Sequence, residues 1–304
     1  MNLKRYPRVS GRRKLLLSFT TIVCAWGLIF SSMGLADPGQ WPKTIKIGLI
    51  PTEGGADIVK RFEPLMEHLE KTLGVKVEVQ SASDYAGIIT AMAHKHIDFA
   101  YLGPKSYTEA SEKASAQAVA LEKNKEGEPG YYGVVISRKG SGINTLEDAK
   151  GRVFAFTDPN STSGYLVPNV LFYRELKVDP KKYFKDVKFS GSHQASILAV
   201  KNGSIDVAAT NNIDLDRMAE KGQASWEDFN VLWKSELIPG SPMCVRSDLP
   251  ESLKAAFCGA LMMFNFNKQG LDKLQIGGYM PADDTMYDVI RYLKQLKSQL
   301  ARSS

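Results

Sequence analysis

Apolar and polar positions follow two rhythms along this chain. Thr44-Ile45-Lys46-Ile47-Gly48-Leu49-Ile50 keeps a period of two and stops at Pro51, which predicts a strand. Ile58, Phe62, Leu65, Met66, Leu69 and Leu73 then fall three or four apart, the spacing of one helix face. Val75–Val79 reads as a second strand, Tyr85–His94 as a second helix and Ile97–Leu102 as a third strand. Gly133–Ser137 is again strand-like, and a polar stretch with Ser141-Gly142 leads to a short helix near Leu146–Lys150. The pattern then restarts: Arg152–Phe156 strand, Gly164–Leu176 helix, Val187–Phe189 strand, Gln194–Asn202 helix, Ile205–Ala209 strand. Such alternation predicts an α/β architecture with mostly parallel sheets covered on both faces. Two copies joined near residue 135 predict two lobes with a cleft between them. Ligands of open α/β sheets sit at the carboxyl ends of strands, and Pro51-Thr52, Tyr101–Pro104, Asp158–Gly164 and Thr210–Asp214 hold such positions.

One of these segments carries candidate chemistry by itself. Ser161, Thr162 and Ser163 stand directly before Gly164 and the apolar run from Tyr165 to Tyr173. A helix start leaves amide N–H groups unpaired and carries about half a positive charge, so adjacent hydroxyls and amides can hold a tetrahedral oxyanion. Capping alone uses one hydroxyl. Three with a glycine point to a ligand.

The amino terminus sets the compartment. Lys4, Arg5, Arg8, Arg12, Arg13 and Lys14 precede the apolar stretch Leu15–Phe30, and Gly34-Leu35-Ala36 comes before Asp37. Residues 1–36 read as a secretory signal peptide cleaved after Ala36, so the mature chain is expected in the periplasm. The whole chain has 39 basic and 33 acidic residues, but six of the basic ones lie in the signal. The mature protein is therefore neutral, and bulk charge gives no case for a nucleic-acid or membrane-surface partner. Cys244 and Cys258 are the two cysteines beyond the signal; a disulfide and two buried thiols both fit.

Further motifs occur in order: Asp84-Tyr85-Ala86-Gly87-Ile88-Ile89, Pro129-Gly130-Tyr131, Asp158-Pro159-Asn160-Ser161-Thr162-Ser163-Gly164, Gly191-Ser192-His193, Asp206–Asn212 and Trp233–Gly240. With them the chain resembles the periplasmic phosphonate-binding proteins of ABC-type importers, a group that includes phosphite binders. The resemblance runs from about Ile45 past Arg246. It implies a type II periplasmic-binding fold, with two α/β lobes, two crossover segments and closure around one ligand. By that similarity lobe 1 comprises 37–134 plus 242–304, and lobe 2 comprises 135–241. The implied partners are a small phosphonate or phosphite and a membrane permease, with a monomeric state and no cofactor.

The resemblance also assigns ligand-binding residues. Ser161, Thr162 and Ser163 match the segment that grips phosphonate oxygens, Tyr131 and His193 match further donors to them, and Tyr85 matches a position lining the organic end. A histidine beside a dianion is expected to stay protonated. Where aminoethylphosphonate binders carry two carboxylates for the ammonium, this chain has Asp214 and Ser241. The lost carboxylate moves the expectation toward phosphite or methylphosphonate. No catalytic residue is expected: Ser161 or Ser163 as a nucleophile would need an elbow and an oriented base that the sequence lacks. Nor is a metal site, because His94, His96 and Asp98 straddle a helix end and a strand start and diverge, while His68 lies on a charged, solvated helix face. A sensor that presents the same closed form to a membrane receptor is the alternative use.

Overall fold

The computed structural model describes residues 40–302. The expected signal peptide lies outside the described residues, and among those described no helix is long and apolar enough to cross a membrane. In chain order the elements are β1 (Thr44–Leu49), α1 (Gly55–Leu73), β2 (Lys76–Ser81), α2 (Tyr85–Ala93), β3 (Phe99–Tyr101), α3 (Pro104–Ala114), β4 (Ala116–Lys123) and β5 (Gly130–Arg138). There follow β6 (Val153–Phe156), α4 (Val167–Arg174), α5 (Pro180–Tyr183), β7 (Asp186–Phe189), α6 (His193–Lys201), β8 (Val207–Asn211) and α7 (Asn212–Glu220). The chain closes with β9 (Phe229–Pro239), β10 (Pro242–Arg246), α8 (Glu251–Phe264), α9 (Lys268–Leu274), β11 (Gly278–Pro281) and α10 (Asp288–Arg302).

Two sheets organise these elements, ordered β11-β4-β10-β3-β1-β2 and β7-β6-β8-β5-β9. β1 runs parallel to β2 and β3, and β6 runs parallel to β7 and β8, as βαβ alternation requires. Helix α1 buries Ile58, Phe62, Leu65, Leu69 and Leu73 on the first sheet, and Gly74 stops it with φ 68°, a left-handed turn that suits glycine. The first sheet has one large apolar core, while the second carries a separate core on each face, around Ile197 and Leu215 and around Phe154 and Phe172.

The chain crosses between sheets twice, at 124–129 and at 240–241. The sequence reading puts the changeover near 135, which lies inside β5. Apolar alternation there marks strand without saying which sheet it joins. The crossings lie side by side: Gly240 N–H donates to Pro129 O at 3.0 Å, and Gly130 opposes Pro239 across β5 and β9. A Cβ at Gly240 would stand 2.1 Å from Glu122 O, so only glycine lets the second crossing pass this close to β4. The short helix expected near Leu146–Lys150 is a run of turns, held by Ala149 N–H on Leu146 O and Lys150 N–H on Glu147 O. His68 is not merely solvated: its Nε2 lies 2.9 Å from Ala260 O and its ring packs on Phe264. Cys244 and Cys258 are free thiols.

Candidate ligand site

Four helix starts converge on one cavity. Tyr85 and His193 are the first residues of α2 and α6, Asn211 caps α7, and Ser161 caps the turn that leads into α4. Each start is fixed by a local cap: Asp84 Oδ1 accepts from Gly87 N–H, Ser192 Oγ from Ala195 N–H, Asn211 Oδ1 from Asp214 N–H and Ser161 Oγ from Gly164 N–H. Converging positive helix ends favour an anion. The cavity measures about 30 Å³, and Thr52, Tyr85, Tyr131, Ser161, Thr162, His193 and Asp214 are on its wall. A benzene-sized cavity is roughly 150 Å³ by comparison, so the space suits a compact group.

Of the seven residues expected from the sequence, six line this cavity; Ser163 stands behind it, packed against Gly133. The expected helix start at Gly164 is displaced. Residues Thr162–Leu166 form a wide π-turn, with Leu166 N–H on Ser161 O at 3.1 Å, before α4 begins. Gly164 permits this turn to lie on β6, because a Cβ there would meet Thr157 Oγ1 at 2.2 Å. Thr162 Oγ1 accepts the Lys105 N–H at 2.8 Å, tying the segment to the start of α3 beside the first sheet.

Hydroxyls and an imidazole stand together on the wall. His193 Nε2 lies 3.4 Å from Ser161 Oγ, and its Nδ1 lies 3.1 Å from Thr210 Oγ1 and 3.4 Å from Thr157 Oγ1. Burial lowers the His193 pKa, and the Asp214 carboxylate only partly opposes this. Left to the protein's own groups the ring is neutral at pH 7, opposite in direction to the protonated ring expected beside a dianion. Burial also pushes up the Tyr85 and Tyr131 phenols, so both keep their protons; the Thr162 and Ser163 hydroxyls beside Tyr131 pull the other way. Tyr85 Oη, Thr52 Oγ1 and Ser163 Oγ are buried without a hydrogen-bond partner. A buried unpaired hydroxyl costs about 1–3 kcal/mol. Two such groups on one small cavity are a signature of a site built to donate.

The same wall is also charged, through Asp214, Glu122 and Arg217, of which only Asp214 was expected from the sequence. Asp214 accepts from Asn211 Nδ2 at 2.7 Å and pairs with Arg217 Nη1 at 3.3 Å; these contacts and His193 lower its pKa against the effect of burial. Arg217 Nη2 reaches Glu122 Oε1 at 2.8 Å, with both side chains buried. Ser241 also lines the cavity, and its carbonyl accepts the Glu122 N–H. Glu122 and Arg217 were missed in the sequence; the signals that could have drawn notice are an acid ending the apolar run Val119-Ala120-Leu121 and a base three residues after Asp214, though neither shows that the two pair. Among the described residues no cluster of three or more His, Cys, Asp or Glu side chains is arranged to hold a metal. His94 and His96 have ring centroids 6.1 Å apart, and Asp98 pairs with Arg246.

Two α/β sheets, two adjacent crossings and a cavity at the carboxyl ends of their strands define a type II periplasmic binding protein. The family model for periplasmic substrate-binding proteins of phosphonate ABC transporters matches residues 47–287. The phosphonates-binding periplasmic protein of Escherichia coli is 33% identical over 283 residues, 90% of this chain and 83% of its own. A phosphate-import protein of Mycolicibacterium smegmatis is 32% identical over 275 residues, 83% of this chain and 85% of its own. The crystal structure of a binding-protein component of a Pseudomonas aeruginosa phosphonate ABC transporter matches with a TM-score of 0.79 at 34% identity, covering 85% of this chain and 87% of that one. The chain belongs to the family of periplasmic substrate-binding proteins of phosphonate ABC transporters.

Proposed function

We propose that the protein captures a phosphonate or a related phosphorus oxyanion in the periplasm and delivers it, as a monomer and without chemical change, to the permease of an ABC importer. Ser161 and Thr162 grip the oxyanion with the amides of their turn, Tyr131 and His193 donate from the remaining sides, and Ser163 supports Tyr131 from behind. Tyr85, expected at the organic end, is read as a further donor because its hydroxyl is buried without a partner. The observation that carries this reading is one small cavity lined by neutral hydroxyls at helix starts, with Tyr85 Oη and Thr52 Oγ1 unpartnered. A phosphorus oxyanion supplies acceptors for these donors, each bond to a charged partner being worth about 1.5–3 kcal/mol.

Closure follows from the same geometry. The lobes are taken as the two sheets with their helices, divided at the crossings, and Asn124–Pro129 and Gly240-Ser241 serve as the hinge. Links between them include Lys105 N–H to Thr162 Oγ1, Gly54 N–H to Gln194 Oε1 at 3.0 Å and Lys221 Nζ to Glu53 Oε2 at 2.6 Å. A ligand that bridges both sides favours this closed arrangement. Calorimetric titration with methylphosphonate, phosphite, phosphate and sulfate tests the function. One-to-one binding of a phosphorus oxyanion, recovered intact, is the expected result; saturable binding of sulfate alone, or turnover of the ligand, would overturn it.

A further inference from the structure

The charged side chains on the cavity wall carry information about the rest of the ligand. Two carboxylates, Asp214 and Glu122, stand on its wall. Left open, they would attract a cationic group. The guanidinium of Arg217 already lies between them, 3.3 Å from Asp214 Oδ1 and 2.8 Å from Glu122 Oε1. Behind it, Glu53 pairs with Arg61 and Lys221, both at 2.6 Å. The cations Arg61, Arg217 and Lys221 thus match the anions Glu53, Glu122 and Asp214 one for one. Neither of the two carboxylates on the cavity wall is left open for a ligand.

Resting on the function proposed above, we propose that Arg217 is a specificity-determining residue: a fixed internal cation that makes the site select phosphorus oxyanions with a short uncharged substituent and reject those with an ammonium tail. Three observations agree. The guanidinium stays charged at any relevant pH, so an ammonium cannot displace it by proton loss. Within the Glu122–Arg217 pair itself, Glu122 Oε2 and Arg217 Nε are unpartnered, one acceptor and one donor. A neutral polar group or a water can meet both, whereas an ammonium offers donors alone and meets Arg217 with like charge. The cavity volume of about 30 Å³ leaves little length for an aminoalkyl chain.

The test is a ratio of two affinities, because any effect of Arg217 on lobe closure weakens both ligands alike and cancels. Methylphosphonate and 2-aminoethylphosphonate are titrated into the wild type, Arg217→Met and Glu122→Gln at one salt concentration. The wild type is expected to bind methylphosphonate at least 10-fold more tightly. Arg217→Met exposes two carboxylates and should move the ratio at least 10-fold toward the amine. Glu122→Gln removes one anion while keeping the cation, and should move it the other way. Should Arg217→Met fail to fold, the Glu122→Gln shift decides. A wild-type preference for the amine, or a ratio unmoved in the variants that fold, overturns the role of Arg217 while leaving the oxyanion site standing. Absence of binding to methylphosphonate, phosphite and phosphate alike overturns the function and this inference together.

Discussion

Replacing Tyr85 with Phe separates a binding role from a structural one. Tyr85 is 1% exposed, its ring is part of the first sheet's core, and its hydroxyl has no hydrogen-bond partner among the protein's groups. Leaving such a hydroxyl buried and unpaired costs about 1–3 kcal/mol, so its removal is expected to leave stability unchanged or to raise it by up to roughly 1 kcal/mol, the ring staying in place. Binding responds in the opposite sense. The phenol is held protonated by burial and by the nearby Asp214 and Asp158 carboxylates, which makes it a dependable donor to an anion. Losing a hydrogen bond to a charged acceptor costs about 1.5–3 kcal/mol, or roughly 10- to 150-fold in affinity. Thermal unfolding without ligand gives the first quantity and calorimetry with methylphosphonate the second. Unchanged affinity would remove Tyr85 from the site. A loss of stability comparable to the loss of binding would show that the hydroxyl serves the fold instead.

Two further outcomes follow from the cup and its histidine. Gly164→Ala puts a methyl carbon 2.2 Å from Thr157 Oγ1 and 2.9 Å from Ser161 Oγ, so stability should fall by about 1–3 kcal/mol or more and binding with it; an unperturbed melting temperature would mean the turn yields freely. His193 has a pKa lowered from 6.5 by burial, so below pH 6.5 the unfolded chain takes up a proton that the folded one resists. Its contribution to stability is therefore full above pH 6.5 and declines as the pH falls toward the folded-state pKa. Melting curves from pH 7.5 to 5 should show this decline, and His193→Asn should flatten it. An identical slope in the variant would refute the assignment.

How far the sequence could be read depended on how local each cause is. The βαβ alternation from Thr44 to Ala209 was legible because burial on a covered parallel sheet repeats every two or three to four residues. Ser161 was legible because the residues that cap a helix start are neighbours in sequence, whereas Tyr85 and His193 came from the resemblance of their motifs and not from local pattern. β10 was not legible, since Pro242–Arg246 inserts between β3 and β4 only after the chain has crossed back, and nothing local specifies that pairing. The same limit hid the Glu122–Arg217 pair: its partners are 95 positions apart and come from different sheets' elements. Asp214 read alone looked open to a ligand's amine; with Arg217 in place it is already engaged.

Locating the phosphorus atom tests the account most directly. A crystal structure of the protein with methylphosphonate should place phosphorus within hydrogen-bonding reach, through its oxygens, of Ser161, Thr162, Tyr85, Tyr131 and His193, with the methyl group toward Arg217. Phosphorus found outside this cavity, or oxygens turned to Arg217 with the methyl among the hydroxyls, would contradict it.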